Sequence, residues 1–447
     1  MKKNDIIELE ITGLTQEGNG VGHYDGMAVF VPCTAVGDRI EVQIVKILSR
    51  YMYGICKRVI TPSPDRIAVD CDSDRLCGGC AFRHIGYDAE LRAKQSFVTD
   101  AFRRIGGITV EPEPILACSS PDFYRNKAQY PVGNDGKLFC GFYSRRSHRL
   151  VPCGECRLQP RLFSEINSFV TEYADKCGIE AYDEKSGRGL LRHIYLRKAF
   201  GTGEIMLCLV CTKTQDFRSL AEAAMRRFPE IKSVILNINP DNTNVILGKK
   251  SVTVAGKDTI TDIMCGRHFE LSPHSFYQVN TAQAERLYAL AAEFASNGEK
   301  IPLLLDLYCG AGTIGISLSD RAEKVIGVEI VPQAVENARE SAKLNSIDNA
   351  EFICADAGEA ADRLAAEGMK PSVIILDPPR KGCDEKTLLA CVKMNPEKIV
   401  MISCNPATAA RDCAFLSAHG HRCDRLRAVD MFPRTGHVET VVLMSRK

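Results

Sequence analysis

One stretch restricts the fold of this chain more than any other: Leu303 to Ser319, L-L-L-D-L-Y-C-G-A-G-T-I-G-I-S-L-S. Leu303 to Leu307 is mostly apolar and reads as a buried strand. Gly310 and Gly312 make a turn, and a helical segment carrying Ile314, Ile316 and Leu318 follows. An open α/β sheet uses such a unit to bring backbone N–H groups to a nucleotide cofactor. Glycine lets the chain turn sharply and lets a ligand approach the backbone. Taken alone, the turn suits NAD, FAD or S-adenosylmethionine, or merely packs a helix.

The residues that follow narrow this choice. Lys324 to Val328 reads as a second strand ending in Glu329, a carboxylate placed for the hydroxyls of a ribose. Pro332 to Leu344 reads as a helix with proline at its start. Further strands are expected at Glu351 to Ala355, before Asp356, and at Ser372 to Leu376, before Asp377-Pro378-Pro379-Arg380. Another, Lys398 to Ile402, runs into Ser403-Cys404-Asn405-Pro406. Each ends in a polar residue at the edge where open α/β sheets bind ligands.

These residues resemble the S-adenosylmethionine-dependent RNA uracil-5-methyltransferases. D-L-Y-C-G-A-G-T resembles that family's cofactor loop, D-P-P-R its substrate loop, and S-C-N-P the loop with the nucleophilic cysteine. Phe432 to Thr440, F-P-R-T-G-H-V-E-T, resembles the segment with the catalytic base. Ser275 to Asn280, S-F-Y-Q-V-N, resembles the stretch that precedes the cofactor fold. The motifs stand in the family's order over about residues 270 to 447.

A chain of 447 residues is about three domains long. Its 45% apolar and 25% charged residues are those of a soluble globular protein. No apolar run of about 18 residues spans a membrane. Met-Lys-Lys-Asn-Asp-Ile-Ile-Glu lacks the apolar core of a signal peptide, so a cytoplasmic enzyme is expected. No feature points to an obligate protein partner.

Residues 1–60 alternate apolar and polar positions between glycine-rich turns, as in a small OB-like β-barrel. T-G-L-T-Q-E-G-N-G-V-G resembles the start of a TRAM domain, which implies RNA binding, with Lys46, Arg50, Lys57 and Arg58 as phosphate contacts. Thr61-Pro62-Ser63-Pro64 reads as a linker. Residues 61–265 read as a mixed α+β domain, with an amphipathic helix at 87–107 and strands at Arg192 to Arg197, Ile205 to Val210 and Val234 to Asn239. The family resemblance implies that 87–118 packs with the C-terminal domain. Residues 266–447 form the Rossmann-like α/β methyltransferase domain.

Twenty cysteines in a large cytosolic enzyme point to thiols, metal ligands or catalysis rather than disulfides. Cys208, Cys211, Cys354 and Cys391 sit singly in apolar segments and read as small core residues. Cys71, Cys77 and Cys80 form C-x5-C-x2-C, and a distant fourth ligand suits an Fe–S cluster. The resemblance to TRAM-bearing rRNA uracil methyltransferases implies a [4Fe–4S] cluster there, with Cys156 as the fourth ligand. Cys153 adds a rival: Cys77-x2-Cys80 with Cys153-x2-Cys156 suits four-thiolate zinc, although the intervening segment is long for a zinc ribbon.

The net charge of +1 gives no global nucleic-acid signal, so binding must come from local patches. Candidates are Arg103-Arg104, Arg145-Arg146-Ser147-His148-Arg149, Arg188 with Arg192 and His193, and Arg197-Lys198.

The chemistry needs a thiolate to add to carbon 6 of uracil, a base for the carbon 5 proton, and a methyl donor. The resemblance implies Cys404 as nucleophile and Glu439 as base, with His437 as a rival base. Asp377 would accept from the uracil N3–H, and Arg380 would hold a phosphate. It implies that Gln278 meets the methionine end of S-adenosylmethionine, Tyr308 and Gly310 line the cofactor, Glu329 takes the ribose and Asp356 the adenine amine. The expected substrate is RNA, 23S rRNA in preference to tRNA. Two other readings compete: an amino-group methyltransferase, since D-P-P-R resembles D-P-P-Y, and an inactive RNA-binding redox sensor.

Overall fold

The computed structural model describes residues 1–447 except Arg75, Arg146 and Asn297. Among the described residues the strands form sheets of six, seven, two and eight strands.

The six-stranded sheet is the N-terminal barrel. Alternation builds it: Ile7, Leu9, Ile40, Val42 and Ile44 point inward with Val29, Val31 and Met52, while their neighbours face out. Residues 11 and 12 close it, because Ile11 N–H donates to the Asp38 carbonyl at 2.9 Å and Thr12 N–H to the Val21 carbonyl at 2.8 Å. The segment after the barrel is tied down. Buried Asp38 accepts from the backbone N–H of Ala35 and Ser63, at 2.6 and 2.9 Å, and from Arg66 at 2.7 Å.

The seven-stranded sheet spans Lys127–Asn134 to Lys250–Gly256 and includes Leu191–Lys198, Ile205–Cys211 and Ile231–Ile238. These central strands lack polar alternation because both faces are covered. Helices Arg161–Lys176 and Arg218–Arg227 pack on one face, and Tyr195, Met206, Cys208 and Val210 join a core with helix Thr281–Ser296 on the other. The middle and C-terminal parts thus share one apolar core. Arg192 and His193 of one candidate basic patch, and Arg197 of another, are buried instead. Arg192 donates to the carbonyls of Asn239 and Asp241 at 2.9 and 2.5 Å, and Arg197 to those of Ser272 and Ser275 at 2.9 and 2.7 Å.

The eight-stranded sheet runs in the order Ala350–Cys354, Ala322–Glu329, Ile301–Leu307, Val373–Leu376, Lys398–Ser403, Glu439–Arg446, His421–Val429, Glu113–Leu116. The first five strands are parallel; Glu439–Arg446 is antiparallel to both neighbours. The order reverses at Ile301–Leu307, the switch point where such sheets open a ligand crevice. Glu113–Leu116 adds an edge strand, and helix Tyr87–Arg104 packs on Pro406–Ala418 beneath the sheet.

One expected boundary moves: the helix expected over 87–107 ends at Arg104, before Gly106-Gly107. The last strand begins only at Glu439, past most of the F-P-R-T-G-H-V-E-T segment. Residues 432–438 form a loop instead, bent at Arg434 (φ 68°) and held by bonds from outside the sheet. Cys208, Cys211 and Cys391 are buried, with Cys391 on helix Glu385–Met394; Cys354 is exposed at its strand end, contrary to the core reading. No helix among the described residues is long and apolar enough to cross a membrane.

Candidate active site

The antiparallel ladder brings Cys404 and Glu439 to one place. Ser403 pairs with Thr440 at the end of their strands, and the Thr440 hydroxyl donates to the Ser403 carbonyl at 3.1 Å. Cys404 is one residue beyond this pair and Glu439 one residue before it, so both stand at the same sheet edge. Asp377 leaves the next strand, Val373–Leu376, at that edge. Glu439 is only 7% exposed, although it is the first residue of its strand.

The electrostatics are those of acids short of counter-charge. Burial and the neighbouring Asp377 push the Glu439 carboxyl up to about 8, against the pull of Arg380. Burial pushes Asp377 up to about 7. Burial and Glu439 raise the Cys404 thiol, and Arg380, hydrogen-bonded to it, pulls the other way. The Arg380 guanidinium donates to the His437 ring at 3.1 Å, and burial with this cation lowers His437, which keeps it neutral. His437 therefore faces Arg380 as an acceptor. The Arg380 carbonyl accepts from the Asn405 side chain at 3.0 Å, joining the D-P-P-R and S-C-N-P loops.

The glycine turn lies at the switch point. Gly310 has φ 56° and open space where a Cβ would stand, so a ligand has access to this backbone. Its N–H donates to Glu329 Oε2 at 3.1 Å, and Glu329 Oε1 accepts from Val331 N–H at 2.9 Å. Tyr308 holds φ 66° and donates to Thr387 Oγ1 at 3.2 Å. Buried Asp306 accepts from Gly315 N–H at 3.0 Å, and burial with the charges of Asp377 and Glu329 pushes it up to about 8. Gln278 hydrogen-bonds Tyr288, whose hydroxyl lies 3.1 Å from Thr313 Oγ1 at the start of the following helix. Asp356 Oδ1 caps helix Ala357–Ala366 through the N–H groups of Gly358 and Glu359, at 3.0 and 3.1 Å. A backbone open at Gly310, with carboxylates at successive strand ends, fits the nucleoside of S-adenosylmethionine.

A buried ion network lies under the loop of residues 432–438, where the sequence shows no acidic or basic run. Lys94, fully buried, donates to Glu90 and Asp430 at 2.7 Å each and to the Phe432 carbonyl at 3.1 Å. Arg434 N–H donates to Glu90 at 2.7 Å, and the Arg434 carbonyl accepts from Ala81 and Phe82. Tyr124 and Asn280 hold the carbonyls of Pro433 and Met431 at 2.9 and 3.1 Å. One signal existed: Lys94 stands inside the apolar stripe Leu91, Val98, Phe102 of its helix.

Cys71, Cys77, Cys80, Cys153 and Cys156 line one cavity of about 300 Å³ with Arg83, Lys127 and Arg157. The donor set is right in kind for a thiolate metal site. As placed, no group of three His, Cys, Asp or Glu among the described residues is arranged to hold a metal ion. Burial pushes Cys80 up to about 12 and raises Cys71 and Cys77, whereas a hydrogen bond from Cys153 lowers Cys156 to about 7. Of the expected basic patch beyond it, Arg146 lies outside the described residues. Arg145 donates to the carbonyls of Glu17, at 3.1 Å, and Cys80.

The strand order, the glycine turn and the strand-end carboxylates are those of an S-adenosylmethionine-dependent methyltransferase, here joined to a TRAM barrel. Residues 86–447 match the family described as tRNA (Uracil-5-)-methyltransferase, and residues 2–57 match the TRAM domain. The chain belongs to this family of RNA (uracil-5-)-methyltransferases. RNA methyltransferases of Clostridium tetani and Halalkalibacterium halodurans are each 41% identical to it over its full length, covering 97% and 98% of those proteins. Among solved structures it resembles the Pyrococcus abyssi tRNA (uracil-54, C5)-methyltransferase in complex with S-adenosyl-L-homocysteine, with TM-score 0.80 and 27% identity. That match covers 98% of this chain and all of the other.

Proposed function

We propose that this enzyme methylates carbon 5 of a uridine in RNA through a covalent bond between Cys404 and carbon 6. The observation that carries this reading is the shared sheet edge of Cys404, Glu439, Asp377 and Arg380. Asp377 accepts from the uracil N3–H, and Arg380 favours the Cys404 thiolate. The sulfur adds to carbon 6, and the electron pair of the carbon 5–carbon 6 double bond moves through carbon 4 to its oxygen as an enolate. S-adenosylmethionine, when bound near Gln278, Tyr308, Gly310, Glu329 and Asp356, supplies an electrophilic methyl group to carbon 5. Glu439 then takes the carbon 5 proton, the double bond re-forms and the sulfur leaves. The target base must leave its stack to reach Cys404.

We favour 23S rRNA as substrate, because the TRAM barrel and the cysteine segment together resemble the rRNA enzymes. A tRNA substrate is the second reading, favoured by the likeness to the Pyrococcus abyssi enzyme. The test is nucleoside mass spectrometry with site mapping of rRNA and tRNA from cells lacking the protein. Loss of 5-methyluridine from one rRNA fragment supports the first reading, loss from tRNA the second, and unchanged 5-methyluridine in both overturns the function.

The resemblance implies a four-thiolate cluster held by Cys71, Cys77, Cys80 and Cys156, which line one cavity and would have to draw together around it. Protein purified without oxygen is expected to be brown, with visible absorbance that fades on oxidation. A colourless protein carrying one equivalent of zinc would point to the Cys77, Cys80, Cys153, Cys156 set.

A further inference from the structure

The barrel turns an apolar face outward. On strands Met27–Pro32 and Tyr51–Thr61, Val29, Val31 and Met52 fill the interior, which leaves Phe30, Tyr51 and Tyr53 outside. Phe30 pairs directly with Tyr53 across the strands. The three rings form one cluster, with centroids 5.5 to 5.7 Å apart, and Tyr51 packs edge-on against both others. Ile55, 52% exposed, extends the patch along the same strand face. The barrel core needs none of these rings, so a contiguous outward apolar patch calls for a ligand.

Position says which ligand. Tyr53 lines a groove of about 770 Å³ together with Cys404, Arg380, His437 and Arg145. The barrel wall is fixed to the catalytic loop: a Cβ on Gly436 would stand 1.5 Å from the Gln16 carbonyl oxygen, so only glycine lets the two backbones approach. The aromatic face is therefore a fixed continuation of the site that receives the uracil. Extruding that uracil deprives its neighbour of a stacking partner, and single-stranded bases stack readily on exposed aromatic rings.

We propose that Tyr53, backed by Tyr51 and Phe30, is a stacking platform for a nucleobase flanking the target uridine. This rests on the reading that the groove at Cys404 receives RNA. Tyr53 is then a positioning residue that holds the strand while the uridine is out of its stack.

The test compares binding of a short oligouridylate with binding of an abasic ribose-phosphate strand of equal length, across a salt series. Stacking of one base predicts about 5- to 150-fold weaker oligouridylate binding by Tyr53→Ala. Its affinity for the abasic strand and its salt slope should stay as in the wild type, and Tyr53→Phe should restore binding. A merely structural role would weaken both strands alike, and that outcome overturns the proposal. So does unchanged oligouridylate binding by Tyr53→Ala. Methyl transfer by the wild type to bulk RNA, measured alongside, separates the two failures: its absence defeats the reading of the groove, its presence with an indifferent Tyr53 defeats the platform alone.

Discussion

The catalytic edge and the cysteine cavity share a wall, since Gly79 and Cys80 line both, yet they are built in opposite ways. At the catalytic edge the groups stand on strand ends, and the ladder that pairs Ser403 with Thr440 sets their positions. Around the cavity the thiols stand on loops, joined by single bonds such as Ser73 Oγ to the Pro152 carbonyl and Gly78 N–H to the Tyr143 carbonyl, both 3.1 Å. Charge balance differs as well. Beside the thiols, Arg83 and Arg157 both pair with Asp70 and Asp122, two cations for two anions. At the catalytic edge burial pushes Asp377 up to about 7, and burial with the Asp377 charge pushes Glu439 up to about 8 against the pull of Arg380, so both carboxyls stand short of counter-charge. A sheet edge short of cations raises its buried carboxyls; around the loops, burial raises Cys71, Cys77 and Cys80, while the hydrogen bond from Cys153 lowers Cys156.

The largest effects should come from the catalytic edge. Cys404→Ala is expected to lower turnover by at least about 1000-fold and to leave no covalent RNA adduct. Glu439→Gln keeps size but loses the base, so it should transfer one methyl group and stall as a methylated protein–RNA adduct on a denaturing gel. An adduct with Cys404→Ala, or brisk turnover by Glu439→Gln, would break the assignment and return His437 or Asp377 as bases.

The fixed geometry of this edge depends on the ions beneath it. Lys94→Met leaves Glu90 and Asp430 buried without their cation. A loss of about 3–5 kcal/mol is expected in urea unfolding, as for other broken buried pairs. A loss under about 1 kcal/mol would mean that the loop is held mainly by its backbone bonds.

The pH profile tests the cation deficit more finely. Glu439 must be ionised to take a proton, and its carboxyl lies at about 8, so resolution of the adduct should rise with pH toward 8 and level above it. Asp377→Asn removes the neighbouring negative charge, which lets Glu439 ionise more readily and moves the midpoint to lower pH. The height of the profile also falls, because the N3–H acceptor is lost; the midpoint is the readout. An unmoved midpoint would remove Asp377 as a cause.

Much of this edge was legible in the sequence, because its strands are apolar runs that stop at polar residues. The helix Pro332–Leu344 was legible to the residue, from its proline start. Buried charge was not. Glu90 and Lys94, four apart on a helix, look like a solvated pair, and Arg192 and Arg197 look like phosphate ligands. Each is buried because carbonyls or acids distant in sequence complete it. The edge strand Glu113–Leu116 is too short to show a period, and the hairpin Ile260–Met264 with Arg267–Leu271 straddles the expected boundary between 265 and 266. The contact of Gln16 with Gly436 joins opposite ends of the chain, and no local pattern encodes it.

The smallest effect separates two arginines that look alike in sequence. Arg145, Arg146 and Arg149 read as one phosphate patch, and replacing an arginine that contacts phosphate should flatten the salt dependence of RNA binding by about 0.7 per contact on a single strand. Arg145 already donates to the Glu17 and Cys80 carbonyls, and so ties the barrel loop to the cysteine loop. Arg149 is exposed. Arg149→Ala should therefore lower the slope by about 0.7. Arg145→Ala should leave the slope in place and instead lower the melting temperature, since its loss frees two carbonyls at the junction. Fluorescence anisotropy with a short oligouridylate across a salt series reads the first, and thermal unfolding the second. If Arg145→Ala flattens the slope as much as Arg149→Ala does, Arg145 exchanges its carbonyls for phosphate when RNA binds. The junction beside the cysteine cavity would then open with the substrate, and the contrast between a rigid edge and loose loops would extend to the RNA itself.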